Sequence, residues 1–298
     1  MDNIKFKNNN SVFQIHTRGI PYLSFNILDD IGVPNLYTTR YASYSKYSAY
    51  SDEECSGIKG LRLAWMKNEK RDEAVPVITS NMKILTNQIG ADFKNICITN
   101  QLHTNHVDMV SLEDLGYGIK PKKEDGVDGL VTDEANAVLL AYGADCPPVY
   151  LADPVAKVVG LVHAGRKGTF GRISQVAIDK MVNYYGSKLE NIRAAIGPGI
   201  CVDCYEMGDE IYDELKSLWG SYYANKLMIR YTANGLSKYH LDLWKANEII
   251  LLEAGISKRN IAVTNVCTCC NSDVFYSYRA GNMKNEQAAI IANSFNSK

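Results

Sequence analysis

Gly143-Ala-Asp-Cys-Pro-Pro-Val-Tyr-Leu-Ala-Asp-Pro-Val-Ala-Lys-Val-Val-Gly-Leu-Val-His-Ala-Gly165 carries two short β-branched runs, Val149 to Ala152 and Val158 to His163, which read as strands. Outward from it, further strand-like runs lie at Val12 to His16, Tyr22 to Ile27, Asn95 to Thr99, Ile192 to Ile196 and Ile261 to Val266. Helical faces lie between some of them. Val75, Ile78, Met82, Leu85 and Ile89 recur at spacings of three and four, as do Ile173, Val176, Ala177, Met181 and Tyr184, with Gly186 as the stop. Ile211, Leu215 and Leu218 mark a third helix, and Trp244 through Ala254, closed by Gly255, a fourth. Strands and helices mix without strict βαβ alternation. The expected class is therefore α+β, with mixed or antiparallel β-sheets packed against helices in one domain.

A chain of 298 residues with 46% hydrophobic and 22% charged residues has the composition of an ordinary globular protein. The formal net charge of -1 offers no field for nucleic acid or an anionic membrane. The apolar stretch Ala135 to Ala144 is too short to span a bilayer. Met1 to Asn10 lacks the apolar segment of an export signal, so the eight cysteines are expected to be reduced thiols in a cytoplasmic protein. No P-loop or Gly-rich dinucleotide fingerprint occurs. Tyr41 to Gly57 and Lys120 to Asp128 read as long surface loops.

The chemistry concentrates at His103 in Asn-Gln-Leu-His, Cys146 in Ala-Asp-Cys-Pro-Pro and His163 in Val-His-Ala-Gly. All three fall at the ends of elements, where a scaffold presents functional side chains. Two imidazoles and one thiolate suit zinc, and three protein ligands leave the fourth position for chemistry. Their wide separations fit no compact zinc finger. The plain alternative is a buried thiol and packed histidines, the role expected of His16, His106 and His240. A second set of cysteines competes. Cys201-Val-Asp-Cys204 and Cys267-Thr-Cys269-Cys270 suit a structural four-thiolate zinc, a redox pair, or small core residues beside an active site.

An ordered series of further motifs accompanies these residues: Tyr-Thr-Thr-Arg (37–40), Asp-Gly-Leu-Val-Thr (128–132), Gly-Pro-Gly-Ile (197–200), Cys-Tyr-Glu-Met-Gly (204–208), His-Leu-Asp-Leu (240–243), Cys-Thr (267–268) and Ser-Tyr-Arg (277–279). Over roughly residues 30 to 292 the chain resembles the laccase-domain proteins once called multicopper polyphenol oxidases, a family now viewed mainly as zinc-dependent purine nucleoside phosphorylases and adenosine deaminases. The resemblance implies one zinc ion on His103, Cys146 and His163, and a nucleoside and phosphate as substrates. It implies a laccase-domain-like catalytic domain over 30–292, with 1–29 as its N-terminal strands and 293–298 as a tail, acting as a monomer or homodimer. Three stretches depart from the family pattern. Arg166-Lys167 stands where Trp-Arg is usual, Asn285-Glu286-Gln287 where Gly-Arg-Gln is usual, and Leu61-Arg62-Leu63 where Ser-Leu-Asn is usual.

Deamination needs a general acid/base, and Asp145 and Glu206 are the candidates; the alternatives are Asp145 as the partner that fixes a ligand histidine and Glu206 as a helix N-terminal charge. Phosphorolysis needs anion contacts, for which Arg40, Lys167 and Arg279 are candidates. Tyr205 is a candidate either to stack on a base or to pack, and the Gly197–Ile200 backbone, read as lying just before the third helix, is either an anion nest or a plain strand-to-helix turn. Three other readings stay open. Cys146 as a thiolate nucleophile with a histidine base would make a metal-independent cysteine hydrolase. Copper oxidation is disfavoured by a total of five histidines. A non-catalytic metal carrier is the last.

Overall fold

The computed structural model describes residues 6, 12–41, 61–64, 71–116, 126–233, 236–282 and 285–295. The stretch quoted above folds into β8 (Pro148–Asp153) and β9 (Val158–His163), an antiparallel pair joined by a tight turn. Along β8 the side chains alternate: Tyr150 and Ala152 enter one core, Val149 and Leu151 the opposite one. That two-residue period is the pleat of a strand. Because both faces are buried, the sequence reads as an unbroken apolar run.

β8 and β9 are central in a six-stranded sheet with β5 (His106–Met109), β6 (Val127–Thr132), β10 (Arg193–Ile196) and β14 (Ile261–Val263), in the order β14-β10-β8-β9-β6-β5. A second six-stranded sheet has the order β1-β2-β3-β15-β7-β4. Its members are β1 (Phe13–His16), β2 (Tyr22–Phe25), β3 (Asn35–Thr38), β4 (Ile96–Ile98), β7 (Val138–Gly143) and β15 (Gln287–Ala292). Both sheets are mixed: β4·β7, β5·β6 and β10·β14 pair in parallel. The inner faces meet in one core, where Phe25, Tyr37, Leu139 and Ile291 of one sheet join Leu130, Tyr150, Leu161 and Ala195 of the other.

Helices cover the two outer faces. Ala74, Ile78, Met82 and Leu85 of an 18-residue helix, Arg71–Gln88, pack on Leu36, Leu140 and Ile290. Ile173, Ala177, Ile178 and Met181 of the helix Ile173–Tyr185 pack on Val107, Val131 and Val162. That helix stops at Gly186, whose φ of 71° suits a residue without a Cβ. Helix Leu243–Glu253 shares this face through Trp244 and Leu251, its first turn capped by Asp242 on the Lys245 N–H. A small sheet, β11 (Glu206–Met207), β12 (Met228–Ala233) and β13 (Leu236–Leu241), packs with the helices Asp209–Trp219 and Ser221–Leu227.

The α+β expectation holds, and the four helical faces are found. Within those faces Tyr184 turns outward and Ile178 takes the buried place. Two assignments change. The stretch Lys120 to Asp128 is not loop throughout: residues 120–125 lie outside the described residues, whereas Val127 and Asp128 are buried in β6. The Gly197–Ile200 turn leads into a 3-10 turn, Val202–Cys204, rather than into the third helix. The expected loop at Tyr41 to Gly57 lies, beyond Tyr41, outside the described residues.

Candidate metal centre and its cavity

His163 ends β9, and Cys146 sits on the turn between β7 and β8. His103 follows β4 in a loop held by two side chains. Gln101 acts as an extra strand residue: its amide accepts from the Tyr142 N–H at 2.7 Å and donates to the Tyr142 carbonyl at 2.9 Å, both on β7. Asp128 does more. Its carboxylate accepts from the N–H groups of Leu102 (3.0 Å), His103 (3.0 Å) and Thr104 (2.9 Å) and from the Thr104 hydroxyl (3.0 Å). The same carboxylate lies 2.8 Å from His163 Nδ1. One fully buried side chain thus orients both imidazoles, and it holds His103 at a φ of 60°, a left-handed conformation that needs such support.

The ligand atoms of His103, Cys146 and His163 all lie within 4.8 Å of one another. The imidazole rings meet edge to face at 4.8 Å. Access is graded: His163 is buried, Cys146 half-buried and His103 exposed. Gly165 closes the site from below. A Cβ there would fall 2.9 Å from Cys146 Sγ and 3.1 Å from His103 Cδ2, so only a bare backbone lets the three side chains converge. With Nδ1 of His163 on Asp128, its Nε2 is left for a metal, the usual arrangement of a ligating histidine. The donor set and its spacing fit a single zinc-like ion with an open side. His16, His106 and His240 stay outside the group: His16 bonds Ser24, His240 the Val202 carbonyl, and His106 is exposed on β5.

The electrostatics follow from that geometry. Burial pushes the Cys146 thiol up, but the His163 charge and hydrogen bonds from both imidazoles outweigh it and bring the thiol down to about 7. Burial disfavours a charged His163, yet the Cys146 thiolate and the Asp128 carboxylate raise it to about 10. Asp128 is itself desolvated, and its bonds to His163, Thr104 and Leu102 more than compensate, holding it below the usual carboxylate range.

The group opens into a cavity of about 740 Å³ lined by Lys167, Arg166, Tyr205, Arg279, Asp145 and Glu286, among others. Lys167 and Arg166 start a five-residue helix, Arg166–Phe170, where Arg166 pairs with Glu214. Arg279 lies over the Tyr205 ring at 5.3 Å and donates to the Cys204 carbonyl at 3.1 Å. Asp145, at a φ of 96°, accepts from the Thr268 hydroxyl at 2.6 Å and the Arg279 N–H at 2.7 Å.

Two expected site residues are not brought into this cavity. Arg40 is buried with its guanidinium on the Ser272 carbonyl at 2.7 Å and does not line the cavity. Glu206 is exposed and pairs with Lys238 at 2.6 Å and with Tyr231. The alternation of β11 sends its neighbours Tyr205 and Met207 to the cavity instead. The Gly197–Ile200 backbone is no anion nest, because the N–H groups of Gly197, Gly199 and Ile200 already donate to the carbonyls of Pro148, Val266 and Asp145. Two residues of the site do not stand out in the sequence. Asp128 reads as the end of a charged loop, although Leu130-Val131-Thr132, with two β-branched residues, marks a strand just beyond it. Glu286 stands out in the sequence only as a departure from the family pattern. It is a cavity carboxylate, pushed up by burial and drawn partly back by the two histidines.

The family model described as multi-copper polyphenol oxidoreductase laccase matches residues 63–293. The chain belongs to this family. A purine nucleoside phosphorylase of Deinococcus radiodurans is 34% identical over 262 residues, 88% of this chain and 88% of that protein. Adenosine deaminase RL5, from an unknown prokaryotic organism, is 33% identical over 210 residues, 70% of this chain and 78% of that protein. The crystal structure of YlmD from Geobacillus stearothermophilus superposes with a TM-score of 0.78 at 26% identity, covering 95% of this chain and 99% of that one. Among the described residues, no helix is long and apolar enough to cross a membrane.

Proposed function

We propose that this member of the laccase-domain family is a zinc-dependent purine nucleoside enzyme of the cytoplasm, a monomer or homodimer, which cleaves adenosine, inosine or methylthioadenosine with phosphate and deaminates adenosine. One observation carries the reading: the His103–Cys146–His163 group forms the floor of a 740 Å³ cavity whose walls hold Lys167, Arg279 and Tyr205. The volume is that of a small-ligand site. His103, Cys146 and His163 would hold the zinc ion. Bound there, zinc supplies Lewis acidity and brings the pKa of a water molecule towards neutrality.

The chain's own groups do the rest. Tyr205 packs on the purine or ribose face. Lys167 and Arg279 bind phosphate, Lys167 as a point charge where the family has a planar guanidinium. In phosphorolysis a phosphate oxygen bonds to C1′ as the C1′–N9 bond breaks, and the departing purine takes up a proton. In deamination a water oxygen bonds to C6 as the C6–N bond breaks, and ammonia carries the proton away. Asp145 and Glu286 are the cavity carboxylates for that transfer. Both Asp145 oxygens already accept from Thr268 and Arg279, so Glu286 is assigned the proton and Asp145 the placement of Arg279.

The metal-independent cysteine hydrolase keeps one supporting observation. Cys146, His163 and Asp128 line up as a thiol, a base and a carboxylate that orients the base. A second imidazole on the sulfur has no task in that mechanism, whereas a metal uses it. Incubation of zinc-loaded protein with adenosine, inosine and methylthioadenosine, with and without phosphate, tests the proposal. Free base plus ribose-1-phosphate, and inosine from adenosine, are the expected products. Turnover that persists after exhaustive chelation transfers the case to the cysteine hydrolase, and no turnover of any nucleoside removes the nucleoside reading.

A further inference from the structure

Cys201-Val-Asp-Cys204 and Cys267-Thr-Cys269-Cys270 lie far apart in sequence, on the loops that follow β10 and β14. Those two strands pair in parallel, and a bridge from Gly199 to Cys267 carries the pairing into the loops. Each loop then folds into a turn. The Cys204 N–H donates to the Cys201 carbonyl at 3.1 Å, and the Asn271 N–H to the Cys267 carbonyl at 3.1 Å. The sulfurs of Cys201, Cys204, Cys267 and Cys270 consequently lie within 4.8 Å of one another. Cys270 Sγ is 3.4 Å from Cys204 Sγ and 3.9 Å from Cys201 Sγ. Zinc–sulfur bonds of about 2.3 Å in a tetrahedron place sulfurs roughly 3.8 Å apart. The N–H groups of Cys201 (3.2 Å) and Cys270 (3.3 Å) both point at Cys267 Sγ, the donor pattern that stabilises a thiolate.

We infer that Cys201, Cys204, Cys267 and Cys270 form a second, closed metal site, a tetrathiolate centre for zinc that staples one wall of the cavity. The folded chain selects Cys267 and Cys270 as ligands and leaves Cys269 as a bystander, so both halves become Cys-x-x-Cys pairs. Four thiolates complete the tetrahedron, and no position remains for substrate. What the staple holds is functional. Thr268, between two of the ligands, donates to Asp145. Tyr205 follows a third ligand, Cys204, whose carbonyl accepts from Arg279. A metal here sets the positions of Tyr205 and Arg279 without touching substrate.

The site is tested in a His103→Ala/Cys146→Ala background, where the cavity centre cannot contribute and its own reading is irrelevant. Protein purified under reducing conditions is expected to retain one zinc per chain. Cobalt(II) alone, exchanged in, is expected to give the intense visible bands and near-ultraviolet thiolate charge transfer of tetrahedral four-sulfur coordination. Adding Cys204→Ser and Cys270→Ser abolishes both, and Cys269→Ser in their place leaves both intact. If the double-serine chain does not fold, alkylation of the intact background decides: four thiols protected by metal and exposed by chelator support the site. Absence of metal, a cobalt spectrum with nitrogen or oxygen donors, a Cys204–Cys270 disulfide in the reduced preparation, or loss of metal with Cys269→Ser alone each overturns it.

Discussion

The His103–Cys146–His163 group and the four-cysteine group are neighbours joined through Asp145, which accepts from the Thr268 hydroxyl and the Ile200 N–H, yet they are built to opposite ends. The first mixes nitrogen and sulfur, has three ligand atoms, and leaves its outermost residue, His103, exposed beside a cavity. The second is all sulfur, with Cys201 and Cys267 buried, and it closes on itself. Both arise where strand ends converge, so convergence alone does not make a reactive centre. The number of ligands and the open side do.

The largest way to sharpen this contrast is to remove a ligand from the open group. His103→Ala or Cys146→Ala is expected to lower nucleoside turnover on the order of 10³-fold, with thermal stability changed little at exposed His103. Steady-state kinetics beside a melting curve check it. Comparable melting losses and only slight kinetic losses would make the open group a structural one.

Asp128→Asn comes next. Asparagine can replace only part of a carboxylate that accepts five hydrogen bonds, and it leaves His163 without its anion. A loss of about 3 kcal/mol in denaturant unfolding is expected, together with metal binding weakened roughly 10–100-fold. Unchanged metal affinity, measured by competition with a chromogenic chelator, would mean that Asp128 only builds the loop.

In metal-free protein, Cys146 should behave unlike an ordinary thiol. With its thiol at about 7, its alkylation rate, followed on the Cys146 peptide by mass spectrometry, is expected to rise through neutral pH. A free cysteine does so near about 8.5. The thiolate is the form stabilised by His163⁺, so reactivity is lost as pH falls below 7, and His163→Ala moves the midpoint upward. A midpoint unaffected by His163→Ala would separate the two residues electrostatically.

Smaller effects divide the cavity wall. Lys167→Ala is expected to raise KM for phosphate about tenfold, near 1.4 kcal/mol, while phosphate-independent deamination stays within about twofold. Equal losses in both reactions would place Lys167 on the nucleoside rather than on phosphate. Smallest is Glu206→Gln: its carboxylate faces Lys238 and Tyr231 in solvent, so kcat is expected to stay within about twofold. A large fall would return Glu206 to the reaction.

What could be read without coordinates has a physical pattern. β8, β9 and β10 were legible because β-branched runs of four to six residues bounded by turns have few other structures open to them. The helix faces were legible because each buries one side only. β7 and β15 do not read as strands from the sequence: burial on both faces removes the alternation, as it does in β8, and their Ala- and Leu-rich runs lack the Pro-Pro and Asp-Pro boundaries that mark β8. The direction of a carboxylate was equally hidden: Glu206 and Glu286 are both acidic residues near strand ends, and only the pleat sends one to solvent and the other to the cavity.

By itself, the sequence determined the residue types available for chemistry, two imidazoles and a thiol at strand ends among ordered motifs, because donor preference is a property of side chains and needs no coordinates. The tertiary structure decided their partners. It chose Asp128 over Asp145 as the support of His163, excluded Arg40, and selected Cys270 rather than Cys269. Hydrogen bonds of about 3 Å depend on strand register and loop closure between segments far apart in the chain, and register exists only once both sheets have packed.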